Sequence, residues 1–340
     1  MDGWLSAAPV APPLETARPV QVTVLLPTYN EELAIRRVLE EIVECMTAAN
    51  PAALQDGPAA DRPTDGIPWS QRVAAQPGGT VEFEILIVDD GSTDRTVEIA
   101  EQFALDCWQC TLHVIRCIEN RGAGAARKVG VRAARGEIIV MLDADGTYPA
   151  AGIRQLLRHF PAYDQVNGAR TSEQGTLPWL RVPAKWCIRK LACYLTGYPI
   201  PDLNTGLKAF KREAMLPWLW VVPDGFSCVT TMTLAFLTNG YSVKYVPTEY
   251  RPRIGQSKFH PIKDTLAYLS TVIRIVLYFR PLKVFLPLAG LLLGGGVAKS
   301  LYSFVATGSM QESDIVVLVA GFMTAMLGLL AEVIVAHHRR

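Results

Sequence analysis

Neither sign of charge prevails in these 340 residues: 33 lysines and arginines oppose 32 aspartates and glutamates, for a formal charge of +1. Nucleic-acid binding driven by overall charge is therefore excluded. With 50% hydrophobic and 19% charged residues, the sequence is not disordered, collagenous or coiled-coil in type. Its N-terminus lacks the basic start and continuous apolar run of a secretion signal. Met1 to Pro19 carries Asp2 and four prolines, so residues 1–20 read as a disordered tail. No Gly-x4-Gly-Lys-Ser/Thr loop is present, and Gly122-x-Gly124 has Arg127 where a dinucleotide pattern needs its third glycine. Kinase, P-loop ATPase and dinucleotide dehydrogenase chemistry are disfavoured accordingly. Seven cysteines in a cytosolic domain are expected as reduced thiols. Cys107, Cys110, His113 and Cys117 miss the usual zinc spacings, and Leu112 to Cys117 alternates as a strand, so a structural role is expected for them.

Apolar residues concentrate at the C-terminus. From Val284 to Thr307 only Lys299 is charged, and from Ile315 to Ala336 only Glu332 is; a bilayer-spanning helix needs about 20 such residues. Residues 283–340 are expected to form two transmembrane helices, 284–307 and 315–336. The acidic connector Gly308 to Asp314 joins them, while Arg280, Lys283, Arg339 and Arg340 flank the other ends. Positive charge then puts both termini, and everything before Arg280, in the cytoplasm. Lys299 and Glu332 fall at different depths, which favours snorkelling or oligomer contacts over a mutual ion pair.

The remaining sequence alternates strand and helix patterns. Gln21–Leu26, Phe83–Val88, Leu112–Cys117 and Ile138–Leu142 are apolar runs of strand length. Glu32–Thr47, Thr93–Leu105 and Ala123–Ala134 have helical spacing. Asn50 to Thr80 is rich in Pro, Gly, Ala and Asp without periodicity, an irregular insertion over residues 50–80. The alternation implies an α/β domain with a parallel sheet between helices, its ligand crevice beyond the carboxyl ends of the strands. Those ends are polar: Pro27-Thr28-Tyr29-Asn30-Glu31, Asp89-Asp90-Gly91-Ser92, Asn120-Arg121-Gly122-Ala123-Gly124 and Asp143-Ala144-Asp145-Gly146. Alone, Asp-Asp-Gly-Ser is a turn with a helix cap at Ser92 or Asp94. Four such signals around one crevice point to a ligand. Two carboxylates on a tight loop suit a hard divalent cation shared with phosphate oxygens, and small residues at Ala144 and Gly146 let a diphosphate approach. The implied ligand is a nucleotide with a metal-bound diphosphate.

In this order the motifs resemble glycosyltransferase family 2, and within it the dolichol-phosphate-mannose-synthase-like polyprenyl-phosphate glycosyltransferases. Further matches are Gly168-Ala169-Arg170, Asp202-x-Asn204-Thr205-Gly206 and Gly255-Gln256-Ser257-Lys258. The resemblance implies a GT-A (Rossmann-like) catalytic domain over 21–260, and part of that group shares the C-terminal transmembrane hairpin; the residue pattern between them adds an interfacial helix over 261–282. The resemblance also implies transfer of a sugar from a nucleotide-sugar donor to a polyprenyl phosphate lipid at the cytosolic face. Pro27, Tyr29, Glu31 and Asp89 would then hold the nucleoside with Asp90 nearby. Asp143 and Asp145, around Ala144, would hold Mg2+ or Mn2+, and Arg170 would sit by the donor diphosphate. Relatives often carry a third ligand, Gln, where this chain has Thr147. The spacing before Gly255 leaves Arg251 and Arg253 both open as the matching arginine.

A polyprenyl phosphate is already ionised near neutral pH, so no catalytic base is needed. The obstacle is repulsion between two anions in a partly dry cleft. Asp145, through the metal, would serve the leaving diphosphate; Arg251, Arg253, Ser257 and Lys258 would grip the acceptor phosphate, with Arg253 and Lys258 counted as catalytic. A basic collar facing anionic lipid is the plainer role for these cations. Pro178–Leu195 and Ile262–Phe279 mix apolar and basic or helical patterns suited to a membrane interface. The rival readings are a processive family 2 polysaccharide synthase, whose Gln-x-x-Arg-Trp motif is missing apart from the weak match Gln155–His159, and a non-catalytic membrane adaptor.

Overall fold

The computed structural model describes residues 20–48, 81–171, 189–194, 196–225, 227–254, 270, 277–278 and 281–338. The tail, the 50–80 insertion, Ser257, Lys258 and most of the two interfacial segments lie outside these residues.

Among the described residues, seven strands form one sheet in the order β3-β2-β1-β4-β6-β5-β7. They are β1 (Val22–Thr28), β2 (Phe83–Asp89), β3 (Thr111–Arg116), β4 (Ile138–Met141), β5 (Gln165–Arg170), β6 (Lys208–Lys211) and β7 (Val243–Thr248). β1, β2 and β4 are buried on both faces, which is why they read as unbroken apolar runs rather than alternating ones. The helices of the domain are α1 (Ile35–Thr47), α2 (Thr96–Asp106), α3 (Ala123–Ala133), α4 (Ala151–Leu157), the short α5 (Arg212–Met215) and α6 (Cys228–Thr238). α1 starts at Ile35 rather than Glu32, leaving Leu33 exposed, and buries Ile35, Val38, Leu39, Ile42, Val43 and Met46 in one cluster with β1, β2 and β4. The opposite face of the sheet packs Leu25, Val88 and Ile139 against α3, α6 and a short turn at Leu216–Val221.

The sheet is mostly parallel, with one departure from the expected pattern. β6 runs antiparallel to both β4 and β5. The chain therefore re-enters the sheet at the end where β5 leaves it, not at the opposite end as a parallel crossover would require.

α7 (Leu282–Thr307) and α8 (Glu312–His338) form the C-terminal hairpin. Both are long and apolar enough to cross a membrane. They approach closely: a side chain on Gly321 would clash with the backbone and side chain of Leu293, the small-residue contact by which such helices pack. Lys299 reaches Asp314 Oδ1 at 2.6 Å and Ser313 Oγ at 2.5 Å, whereas Glu332 accepts from the Leu282 amide at 3.5 Å. The two charges therefore have separate partners, at opposite ends of the hairpin.

Candidate functional site

The polar segments after β1, β2, β3 and β4 converge on one edge of the sheet because the four strands are parallel and in register. Pro27 and Tyr29 are half-buried there and Asp89 and Asp90 buried. Asn30 adopts φ 51°; its side-chain Oδ1 accepts from the Thr93 backbone amide at 2.8 Å, and its backbone N–H donates to Ser92 Oγ at 2.9 Å. The first two loops are thus stitched together. Asp89 accepts from the amide and hydroxyl of Ser92. Asp90 accepts from the amides of Arg121 at 3.0 Å and Gly122 at 2.8 Å, tying in the third loop. Burial raises the Asp90 carboxyl, offset in part by those two amides. Helix α2 starts at Thr96, later than expected, with Arg95 as its N-cap and no side-chain cap; Asp94 accepts from the amide and hydroxyl of Thr96 just ahead of it.

Beyond β4, Asp143 is clamped. Arg127, buried in α3, donates to Asp143 Oδ1 at 2.5 Å, and any side chain on Gly206 would collide with the other Asp143 oxygen. Opposing effects act on Arg127: burial lowers its pKa, while the Cys228 and Asp143 contacts raise it by more. Asp145 is 8% exposed and accepts at Oδ1 from the Thr147 amide at 3.0 Å and hydroxyl at 2.6 Å, so Thr147 braces this carboxylate. Burial, then the neighbouring Asp143 charge, raises the Asp145 carboxyl.

Arg253 supplies the counter-charge, donating from Nη2 to Glu31 Oε1 at 2.6 Å and holding Nε 3.4 Å from Asp145 Oδ2. Arg251 turns elsewhere, to both oxygens of Glu41 on α1 at 3.2 Å. The structure thus separates two arginines that the sequence leaves equivalent. The donor set fits a hard cation: Asp143 and Asp145 offer carboxylate oxygens on one tight loop around Ala144, and Gly206, with no side chain, lets Asp143 pack against its backbone. Among the described residues no group of three or more His, Cys, Asp or Glu could hold a metal.

Arg170 is engaged by Asp202, with Nε–Oδ2 at 2.7 Å and Nη2–Oδ1 at 2.9 Å, and its guanidinium lies 5.3 Å from the Tyr250 ring centroid. Burial would raise the Asp202 carboxyl, but the hydrogen bonds and charge of Arg170 hold it below its ordinary value. Tyr250 packs edge-on against Tyr148, whose hydroxyl accepts from the Gly206 amide at 3.0 Å. The sequence patterns gave no role to Arg127, Asp202 or this aromatic pair. Two signals were available: Asp202 stands in the Asp202-x-Asn204-Thr205-Gly206 motif, and Arg127 lies among Ala126, Gly130 and Val131 on the apolar face of α3.

Beneath the site, fully buried Lys208 donates to Thr233 Oγ1 at 2.6 Å and Asn167 Oδ1 at 3.3 Å. Burial pushes its ammonium down to about 7. An unfolded lysine keeps its proton to about pH 10.4, so above pH 7 the unfolded chain binds more protons and stability should rise toward pH 10. The slope is at most about 1.4 kcal/mol per pH unit. Unfolding of the detergent-solubilised chain in denaturant should show this rise, and Lys208→Met should flatten it; an unchanged slope would contradict the assignment.

The sequence pattern of Glycosyl transferase family 2 matches residues 71–216, and that of the GtrB C-terminal hairpin matches residues 280–336. Dolichyl-phosphate hexose transferase of Haloferax volcanii is 30% identical over 260 residues, spanning 75% of this chain and 94% of the relative. Polyprenol monophosphomannose synthase of Mycolicibacterium smegmatis is 30% identical, over 72% of this chain and 83% of its own. Among solved structures, glucosyl-3-phosphoglycerate synthase of Mycobacterium tuberculosis, crystallised with Mn2+, UDP-glucose and phosphoglyceric acid, superposes with a TM-score of 0.50. The identity is 16%, over 76% of this chain and 79% of that one, and the likeness is one of fold.

Proposed function

Since the chain belongs to glycosyltransferase family 2, in its polyprenyl-phosphate branch, we propose that it moves a sugar from GDP-mannose or a UDP-hexose to undecaprenyl or dolichyl phosphate. The reaction takes place at the cytosolic face of the membrane, inverts the anomeric carbon and requires Mg2+ or Mn2+. The observation that carries this reading is Arg253 standing between Glu31 and Asp145 at the strand-end edge: a cation poised beside the carboxylates that would serve the donor.

Asp143 and Asp145 would hold the metal, which when bound supplies charge compensation to the leaving diphosphate. Arg127 fixes Asp143 in place through their ion pair; Thr147 does the same mechanical work for Asp145. Pro27, Tyr29, Glu31 and Asp89 form the nucleoside side of the edge, and Asp90 holds its loops in place. Arg253, with Ser257 and Lys258, takes the acceptor phosphate; Arg251, directed at Glu41, contributes to folding of the segment. Asp202 is a poor base, because both its oxygens are taken by Arg170 and its carboxyl is held low. That favours an acceptor that arrives already ionised over a hydroxyl that must be deprotonated.

Full-length chain in nanodiscs, offered UDP- and GDP-sugars with undecaprenyl or dolichyl phosphate, should give a single-sugar lipid identified by mass. A polymer would indicate a processive synthase, and no product with any pair an adaptor. The flanking charges put both termini in the cytoplasm; a reporter fused after Arg340 should signal there, and a signal from the other side would remove the cytosolic donor from this account.

A further inference from the structure

The turn Leu216–Val221 carries a large apolar group on the outside of the domain. Leu219 is 4% exposed and joins the core beneath the sheet, with Leu216 and Trp218 packed against that cluster. A 3-10 turn has three residues per turn, so with Leu219 inward the neighbouring Trp220 faces out, and it is 62% exposed. Its ring meets that of Tyr278 at 5.7 Å between centroids, edge-on, and Tyr278 is itself 45% exposed just ahead of α7.

A second set of contacts ties the domain to the start of α7. Lys283, in the first turn of α7, donates to the Tyr194 carbonyl at 3.1 Å and lies 5.9 Å from that residue's ring centroid. Tyr194 and nearby Tyr198 are largely exposed too. Four exposed aromatic groups, Trp220, Tyr278, Tyr194 and Tyr198, and Lys283 therefore lie on the segments that meet the start of α7. Trp and Tyr with a neighbouring Lys are the side chains that settle at the headgroup level of a bilayer, apolar body inward and polar tip to water.

We infer that the Leu216–Val221 turn is a membrane contact in its own right, with Trp220 seated in the headgroup region beside Tyr278. The occupant is the bilayer, because the patch is continuous with the hairpin that the membrane already surrounds. Trp108 provides an internal contrast. It is 89% exposed but precedes β3, at the end of the sheet opposite the strand-end edge. The inference rests on the hairpin's seat in the membrane and is independent of the transfer reaction.

The test compares the full chain, Trp220→Phe and Trp108→Phe in phosphatidylcholine vesicles with and without brominated acyl chains. The fluorescence lost on Trp220→Phe should be a component that bromine quenches by about half, as for a ring some 5–10 Å into the boundary. The component lost on Trp108→Phe should be unquenched by bromine and quenched by aqueous iodide. If Trp220 fluorescence is insensitive to bromine, the inference is overturned. Insensitivity to iodide as well, growing with protein density, would assign the patch to a second copy of the chain. Resistance to carbonate extraction, measured on the same samples, separates failure of this inference from failure of the hairpin's insertion.

Discussion

Asp145→Asn should leave a folded, membrane-inserted chain whose transfer is slower by about 10³-fold, the order of loss when one preorganised charge-stabilising group is removed from an active site. The fold should survive because Oδ1 of Asn still accepts from the Thr147 amide and hydroxyl, as Asp145 does. A neutral amide also escapes the burial and the Asp143 repulsion that raise the native carboxyl. What goes is the negative charge that would hold a cation at the leaving diphosphate. Near-normal turnover of the native chain in EDTA would remove the metal from this account.

Arg253→Ala should abolish acceptor-dependent transfer more than donor binding. We expect a loss of about 2–4 kcal/mol, or roughly 30- to 1,000-fold, for one charge-assisted contact in a water-poor cleft. Arg253→Lys keeps a cation near Glu31 and Asp145 and should recover part of it, although a lysine lacks the fork that reaches both carboxylates. Paired with Lys258→Ala, the combined loss should fall short of the two single losses added together, because both residues would serve one phosphate. Equal damage to nucleotide-sugar affinity and to transfer would put Arg253 on the donor side. Arg251→Ala should cost far less activity, since that guanidinium is paired with Glu41.

The strand-end edge was legible because its signals are local. Each of β1, β2 and β4 is an apolar run that stops at a polar segment, and the structure ends these strands within a residue or two of where the runs end. Partner choice was not local. Arg251 and Arg253 are two residues apart, equivalent in any periodic pattern, and what separates them is the position of Glu41 on α1 against Glu31 after β1. Lys208 reads as a surface residue in Lys-Ala-Phe-Lys, yet it is fully buried because β6 lies inside the sheet, between β4 and β5. The antiparallel course of β6 likewise depends on where a long connection returns, which hydropathy does not encode. Helix α6 is buried along its whole length and so has no amphipathic stripe to reveal it.

The central claim is that an anionic lipid phosphate attacks the donor without a catalytic base, steered by Arg253 beside the Asp143–Asp145 loop. The most direct measurement offers the chain one nucleotide-sugar with two lipids of the same length, a polyprenyl phosphate and the corresponding polyprenol, in matched nanodiscs. This account predicts a glycosylated lipid from the phosphate alone, with the alcohol inert even at saturating donor. Comparable transfer to the alcohol would require a base at this edge and would contradict it.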